Sequence, residues 1–291
     1  MRLVALLVLA GLCGCTAQAA DDGRVRVLAA AYPLAWAAAQ VGGPDVRVED
    51  LVRAGAEPHD VELSPRQIGA FERAALVVYL HGFQPAVDDA VREADTSARL
   101  DLTQHVTMRP FESDLTGDDE SGTDPHVWVD PVRMSAIVRA VAERLSDRDP
   151  AHAAAYSTRA AATLERLRLL DADFRSSLRS CRHDELVTAH SAFGYLAERY
   201  GLKQVGVAGV SPDAEPSPGR LARVARYAEA HDVRTIFFGS DVDPKLADTV
   251  AREIGAQTAI LDPVEGVENG DDYLSVMRRN ARVLHDGLEC A

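Results

Sequence analysis

The sequence predicts an α/β protein of two lobes, each with a mostly parallel sheet, joined by one long rigid helix. Three observations carry that expectation: strand-like and helix-like stretches alternate from Val25 onward, helix starts share one punctuation, and one helical pattern is far longer than the others. The punctuation is a capping residue followed by proline, at Ser64-Pro65, Asp130-Pro131, Asp149-Pro150, Ser217-Pro218 and Asp243-Pro244. The capping oxygen accepts an orphan N–H of the first turn, and proline at the first helical position has none to lose.

In order, Arg24 to Ala30 reads as a strand, Pro33 to Val41 as a helix and Val46 to Val52 as a strand. Pro65 to Ala74 follows as a helix and Leu76 to Leu80 as a fully apolar, buried strand. Asp130-Pro131 opens a further helix. From Pro150 to about Arg179 neither glycine nor a further proline interrupts the pattern, and Leu164, Leu167, Leu170, Phe174 and Leu178 form one stripe. Such a helix is about 45 Å long, enough to run the length of a domain as a spine. Beyond it come Glu185 to Ala189 (strand), Phe193 to Tyr200 (helix), Lys203 to Val207 (strand), Pro218 to His231 (helix) and Thr235 to Phe238 (strand). Pro244 to Ile254 (helix), Thr258 to Leu261 (strand) and Asp272 to Leu288 (helix) complete the chain. The expected organisation is a leader over 1–14, a tether over 15–23, an N-terminal lobe over 24–146, the spine over 147–180 and a C-terminal lobe over 181–291.

Composition narrows the function. With 291 residues, 47% hydrophobic, the chain is long enough for two cores. Its 45 acidic against 31 basic side chains, a net charge of −14, repel phosphate backbones, so nucleic acid is excluded as a partner. Arg2 and the apolar stretch from Leu3 to Leu12 form an export signal too short to span a bilayer. Leu12-Cys13-Gly14-Cys15 resembles a bacterial lipobox, which implies acylation of Cys15 and a membrane tether by lipid alone. Ala17-Gln18-Ala19 offers the alternative of cleavage to a soluble periplasmic protein. In that oxidising compartment Cys181 and Cys290, far apart and in no C-x-x-C, are expected to pair; the bridge would stabilise by roughly 4 kcal/mol in the chain-entropy model.

The chemistry lies in histidines. His59, His126 and His190 each stand in a short loop after a strand-like run, and Asp271 stands in a fourth such loop. Ligands roughly sixty to eighty residues apart cannot nucleate a local zinc finger, so a folded body must bring the loops together. Ligands in open α/β sheets bind beyond the carboxyl ends of the strands. Two candidates come from each lobe, which puts the expected site in the cleft between them.

Four motifs carry a resemblance: Gly55-Ala56-Glu57-Pro58-His59, Asp124-Pro125-His126-Val127-Trp128-Val129-Asp130-Pro131, Thr188-Ala189-His190-Ser191-Ala192-Phe193-Gly194-Tyr195, and Gly270-Asp271-Asp272-Tyr273 with Met277-Arg278. Across essentially the whole mature length the chain resembles the metal-binding solute receptors of bacterial ABC importers for zinc and manganese, the TroA-like or ZnuA-like group. The resemblance implies metal ligation by His59, His126, His190 and Asp271, a rigid spine, small closing motions and a membrane permease as partner. It departs from the family at Val61, where an aromatic is common, and at His81-Gly82, where Asn-Gly is common. The insertion over 112–124 is short and acidic rather than rich in histidine.

Three imidazoles and a carboxylate suit four-coordinate Zn²⁺, whereas Mn²⁺ favours more oxygen; a bidentate Asp271 is the route by which manganese would be admitted. Asp271, the one non-imidazole ligand, is also the expected release element. His81 and Asp272 are candidates for supporting the ligands from behind, with Asp272 also the expected cap of the last helix. His105, His152, His183, His231 and His285 have no ligand-like neighbours. An exported zinc metallohydrolase or an adhesin is the more distant alternative. Four protein ligands leave no open position for water, and neither H-E-x-x-H nor G-x-S-x-G occurs, so an enzyme is not expected. A monomer is expected, and a metallochaperone is a candidate partner for the acidic loop.

Overall fold

A computed structural model describes residues 23–53, 56–112, 115, 121–209, 211, 216–239, 245–267 and 270–291. The leader, Cys15 and Asp243-Pro244 lie outside the described residues, as does most of the acidic loop. Among the described residues no helix is long and apolar enough to cross a membrane.

The N-terminal lobe is a parallel sheet of β1 (Val25–Ala29), β2 (Val46–Asp50), β3 (Leu76–Tyr79) and β4 (Arg99–Asp101) in the order β2-β1-β3-β4. Around it lie α1 (Tyr32–Gly42), α2 (Pro65–Phe71), α3 (Pro85–Glu93) and α4 (Pro131–Arg148), with the antiparallel pair β5 (Pro110–Glu112) and β6 (Ser121–Thr123) before α4. The spine is α5 (Ala153–Ser177). The C-terminal lobe repeats the parallel design with β7 (Glu185–Thr188), β8 (Lys203–Gly206), β9 (Thr235–Phe238) and β10 (Gln257–Ile260) in the order β10-β9-β7-β8. Its helices are α6 (Gly194–Tyr200), α7 (Pro218–Ala230), α8 (Lys245–Ile254) and α9 (Tyr273–Gly287).

Three of the five expected caps form where the sequence marks them. Ser64 accepts from the Gln67 N–H while Gln67 returns the bond, and Asp130 and Ser217 accept from Val132 and Arg220. Asp149 does not cap; its carboxylate takes bonds from His152 and Tyr156, and Pro150–His152 form a 3-10 turn. The spine therefore begins at Ala153 rather than Pro150, and its 25 residues span about 37 Å rather than 45 Å. Strand β4 and the β5–β6 pair were not expected, because three residues are too few to display an alternating pattern.

The spine belongs to both lobes. Tyr156, Leu167, Leu170 and Phe174 are fully buried, and α5 packs along α1 and α4 on one side and α9 on the other. Each such Leu or Phe favours folding by about 1.5–3 kcal/mol over its exposed state. One continuous core runs through both lobes, and a second, smaller one lies beneath α7 and α8. Polar ties add to this: buried Asp130 at the head of α4 receives two bonds from Arg199 of α6, at 2.9 and 2.8 Å. Losing one member of such a buried pair strands the other's charge, which resists wide opening of the lobes.

The Cys181–Cys290 disulfide is present and closes a separation of 109 residues. Around it Arg182 N–H donates to Glu289 O and Ala291 N–H to Ser180 O, so the end of α9 is stitched to the chain leaving the spine. Cys181→Ser with Cys290→Ser is expected to lower unfolding free energy by about 4–5 kcal/mol in the chain-entropy model. Urea denaturation of oxidised and double-serine proteins measures this, and equal midpoints would refute it.

Candidate metal centre

Four loops meet, three from the carboxyl edges of the two parallel sheets and one from the end of the β5–β6 pair. His59 follows β2, and its turn is held by buried Gln84, whose Nε2 donates to Pro58 O at 2.7 Å and Ala30 O at 3.0 Å. His126 follows β6 at the head of the 3-10 turn Val127–Val129. His190 leaves β7, the strand from which the sheet runs on to β8 on one side and β9 on the other, the crevice where α/β sheets bind ligands. Its carbonyl accepts from Thr188 Oγ1 and Gln204 Nε2, which pins the turn. The fourth loop leaves β10 through Leu261, Asp262, Pro263 and Val264, and it delivers Glu265 rather than Asp271.

Glu265 stands among the three imidazoles. Its Oε1 lies 2.9 Å from His126 Nε2, 3.8 Å from His59 Nε2 and 3.7 Å from His190 Nε2. His59 Nε2 and His126 Nε2 are 3.3 Å apart. Bonds of about 2.0–2.1 Å in a tetrahedral site put neighbouring ligand atoms about 3.3 Å apart, a value that the His59–His126 edge and the three edges to Glu265 bracket. The ligand atoms of His59, His126 and Glu265 all lie within 4.8 Å of one another, and His190 joins this group through Glu265. All four side chains are nearly sealed: exposure is 10% for His59, 0% for His126, 2% for His190 and 3% for Glu265.

The polar accounting is incomplete without a cation. His190 Nε2 and both Glu265 oxygens are buried with no aligned hydrogen bond; the 2.9 Å approach of His126 is proximity, not a well-directed bond. Buried polar atoms left this way are costly. A cation that accepts lone pairs from all four side chains would satisfy them together.

A carboxylate behind His126 sets its tautomer. Asp124 Oδ1 lies 2.9 Å from His126 Nδ1, which assigns a proton to Nδ1 and leaves Nε2 as the nitrogen that faces the centre and binds metal once it is deprotonated. Arg109 pairs with the other Asp124 oxygen at 3.4 Å, and Tyr195 OH donates to Asp124 O. A Cβ at Gly194 would fall 1.6 Å from the Arg109 guanidinium and 2.8 Å from Asp124 Oδ2, so a side chain there would push this pair aside. Burial pushes His126 down, but its bond to Asp124 and the nearby Glu265 carboxylate overcome this and carry it up to about 9. His59 moves the other way, lowered chiefly by burial. Burial would raise Glu265, yet the surrounding imidazoles hold it well below the usual carboxylate range.

Asp271 is the correction. It sits one residue before the N-cap of α9, and its carboxylate bonds Ser275 Oγ and Arg279 Nη1, both at 2.9 Å; those bonds hold it below the usual carboxylate range. Its bonds are to side chains of its own helix, outside the imidazole cluster. Asp272 is the cap of α9, in a reciprocal box with Ser275, and His81 is exposed and bonded to Asp88. The signal that points to Glu265 is distance from the strand end: it is the second carboxylate after β10, and the first, Asp262, is occupied by the Val264 N–H at 2.7 Å. Val264, β-branched at φ 62°, is strained by about 1–3 kcal/mol, a strain typical of ligand-holding turns.

Two parallel-sheet lobes on one spine helix, with imidazoles and a carboxylate closing the cleft, are the build of a metal-binding solute receptor. The family of periplasmic zinc-uptake complex component A matches residues 27–287, and the chain belongs to it. It is 33% identical to the zinc-binding lipoprotein AdcA of Streptococcus pneumoniae, over 98% of this chain and 60% of that protein. It is 32% identical to the high-affinity zinc uptake system protein ZnuA of Bacillus subtilis, over 98% and 96% respectively. The chain thus spans about three fifths of the AdcA relative's length and nearly all of ZnuA. Among solved structures, the Zn(II)-bound ZnuA-like domain of Streptococcus pneumoniae AdcA superposes with a TM-score of 0.78 at 32% identity, covering 92% of this chain and 100% of that one.

Proposed function

We propose that this chain is an extracytoplasmic receptor that captures Zn²⁺ between its lobes through His59, His126, His190 and Glu265 and hands it to an ABC-transporter permease. The observation that carries this reading is the gathering of three imidazoles round one buried carboxylate, with His190 Nε2 and both Glu265 oxygens short of hydrogen bonds and His59, His126 and Glu265 at zinc-ligand spacing. Three nitrogens to one oxygen favour zinc over manganese, which takes oxygen-rich, higher coordination. All four donors come from one chain, so a monomer suffices. Membership in a family of transport receptors, and a cage with no position left for water, both speak against a metallohydrolase.

The same reading puts the protein outside the cytoplasm, with Cys15 as a lipid anchor; the lipobox and the lipoprotein among its relatives support that. Elemental analysis of protein exported by its own host, beside competitive Zn²⁺ and Mn²⁺ titration, tests the proposal. The expected result is one zinc per chain and zinc outcompeting manganese. Manganese recovered in its place would overturn it.

A further inference from the structure

The motif around α9 does not bind metal through Asp271, yet its residues converge on the ligand loops. Asn280, on α9 and 1% exposed, bonds both backbone groups of one residue: its Nδ2 donates to Asp262 O at 2.6 Å, and Asp262 N–H donates to its Oδ1 at 3.0 Å. Asp262 in turn holds the Val264 N–H, and Val264 keeps its left-handed backbone immediately before Glu265. From the other lobe, Trp128 Nε1 donates to Pro263 O at 2.8 Å, and Tyr273 OH of α9 donates to Trp128 O at 2.6 Å. Trp128 is two residues beyond His126. One helix thus grips the turn that carries the carboxylate ligand and, through Trp128, the segment that carries a histidine ligand.

We propose that Asn280 is a positioning residue for the metal: with Trp128 it holds the Asp262–Glu265 turn in the conformation that sets the Glu265 carboxylate against the three imidazoles. This rests on the reading of Glu265 as a ligand. A strained β-branched residue persists only where its surroundings over-determine it, and the three side-chain bonds to Asp262 and Pro263 do so here. Asn280→Asp keeps the acceptor for the Asp262 N–H but faces the Asp262 carbonyl with a second oxygen. The turn then loses its donor and gains a repulsion, and Glu265 swings off the cage.

The test is a double-mutant cycle on the full chain, read by competition of the metal-free protein with a chelator for Zn²⁺. Asn280→Asp is expected to weaken zinc binding roughly 10–100-fold, the range found when outer partners of metal ligands are lost. In a Glu265→Ala background the same change is expected to have no further effect, because the group it positions is gone. The Co²⁺ absorption spectrum of Asn280→Asp should shift toward that of Glu265→Ala. A merely structural asparagine would weaken binding equally in both backgrounds, and that outcome overturns the proposal, as does unchanged affinity in Asn280→Asp while Glu265→Ala is impaired. Unchanged affinity in Glu265→Ala itself would instead overturn the ligand reading. If Asn280→Asp fails to fold by urea denaturation, Trp128→Phe carries the same cycle, since it removes the donor to Pro263 O and keeps an aromatic ring beside His126 and Phe83.

Discussion

Glu265→Ala is expected to weaken zinc binding by more than about a hundredfold, beyond the 10–100-fold typical of losing a ligand's outer partner, while Asp271→Ala leaves affinity within about twofold. The contrast follows from where the two carboxylates stand. Glu265 is 3% exposed with both oxygens lacking aligned hydrogen bonds among three imidazoles, whereas Asp271 is 32% exposed and already bonded to Ser275 and Arg279. Removing Glu265 leaves the cage one donor short and takes away its one anionic donor, so three neutral imidazoles would face a buried divalent charge. Removing Asp271 leaves Asp272 to cap α9. Chelator competition on the two variants decides the matter, and equal losses, or a larger loss in Asp271→Ala, would return the fourth ligand to Asp271.

The histidines were legible in the sequence for a reason that did not extend to the carboxylate. His59 and His190 follow strands of the two parallel sheets, whose carboxyl ends are where such folds bind ligands, whereas His126 follows the short antiparallel β5–β6 pair and was marked by its Asp124-Pro125-His126 motif. The loop after β10 holds Asp262, Glu265, Glu268, Asp271 and Asp272 within eleven residues, and no periodicity ranks five acids in an irregular segment. What ranks them is backbone geometry: Asp262 serves Val264, the left-handed turn aims Glu265, and the last two begin a helix. The spine was read about five residues too long, three of them at its start, because Pro150 opens a 3-10 turn there rather than the α-helix. The disulfide was legible because two cysteines in an oxidising compartment leave few choices.

Zinc binding at pH 7.5 is expected to release about one proton, and zinc affinity to fall about tenfold per unit as pH drops from about 9 toward 6.5. The cause is His126. Without metal its imidazole is held between Asp124 at Nδ1 and Glu265 near Nε2, and despite burial these carry it up to about 9. Near neutrality the metal-free site therefore holds a proton where the zinc bond must form, and the metal has to displace it. Glu265, held well below the carboxylate range, releases none, and His59, lowered by burial, adds its own competition only below its usual value of 6.5. The fall thus begins higher than an ordinary histidine would allow. The sign for folding is the complement. A group raised in the folded state contributes stability that is full below its unfolded value near 6.5 and lost as pH rises through 9, so the metal-free protein should weaken across that window. Zinc replaces the proton as the positive partner of the two carboxylates, and the loaded protein should not weaken there. Calorimetry in two buffers of different ionisation enthalpy counts the proton directly, and identical binding enthalpies in both would mean that His126 is already neutral and the pair with Glu265 is absent.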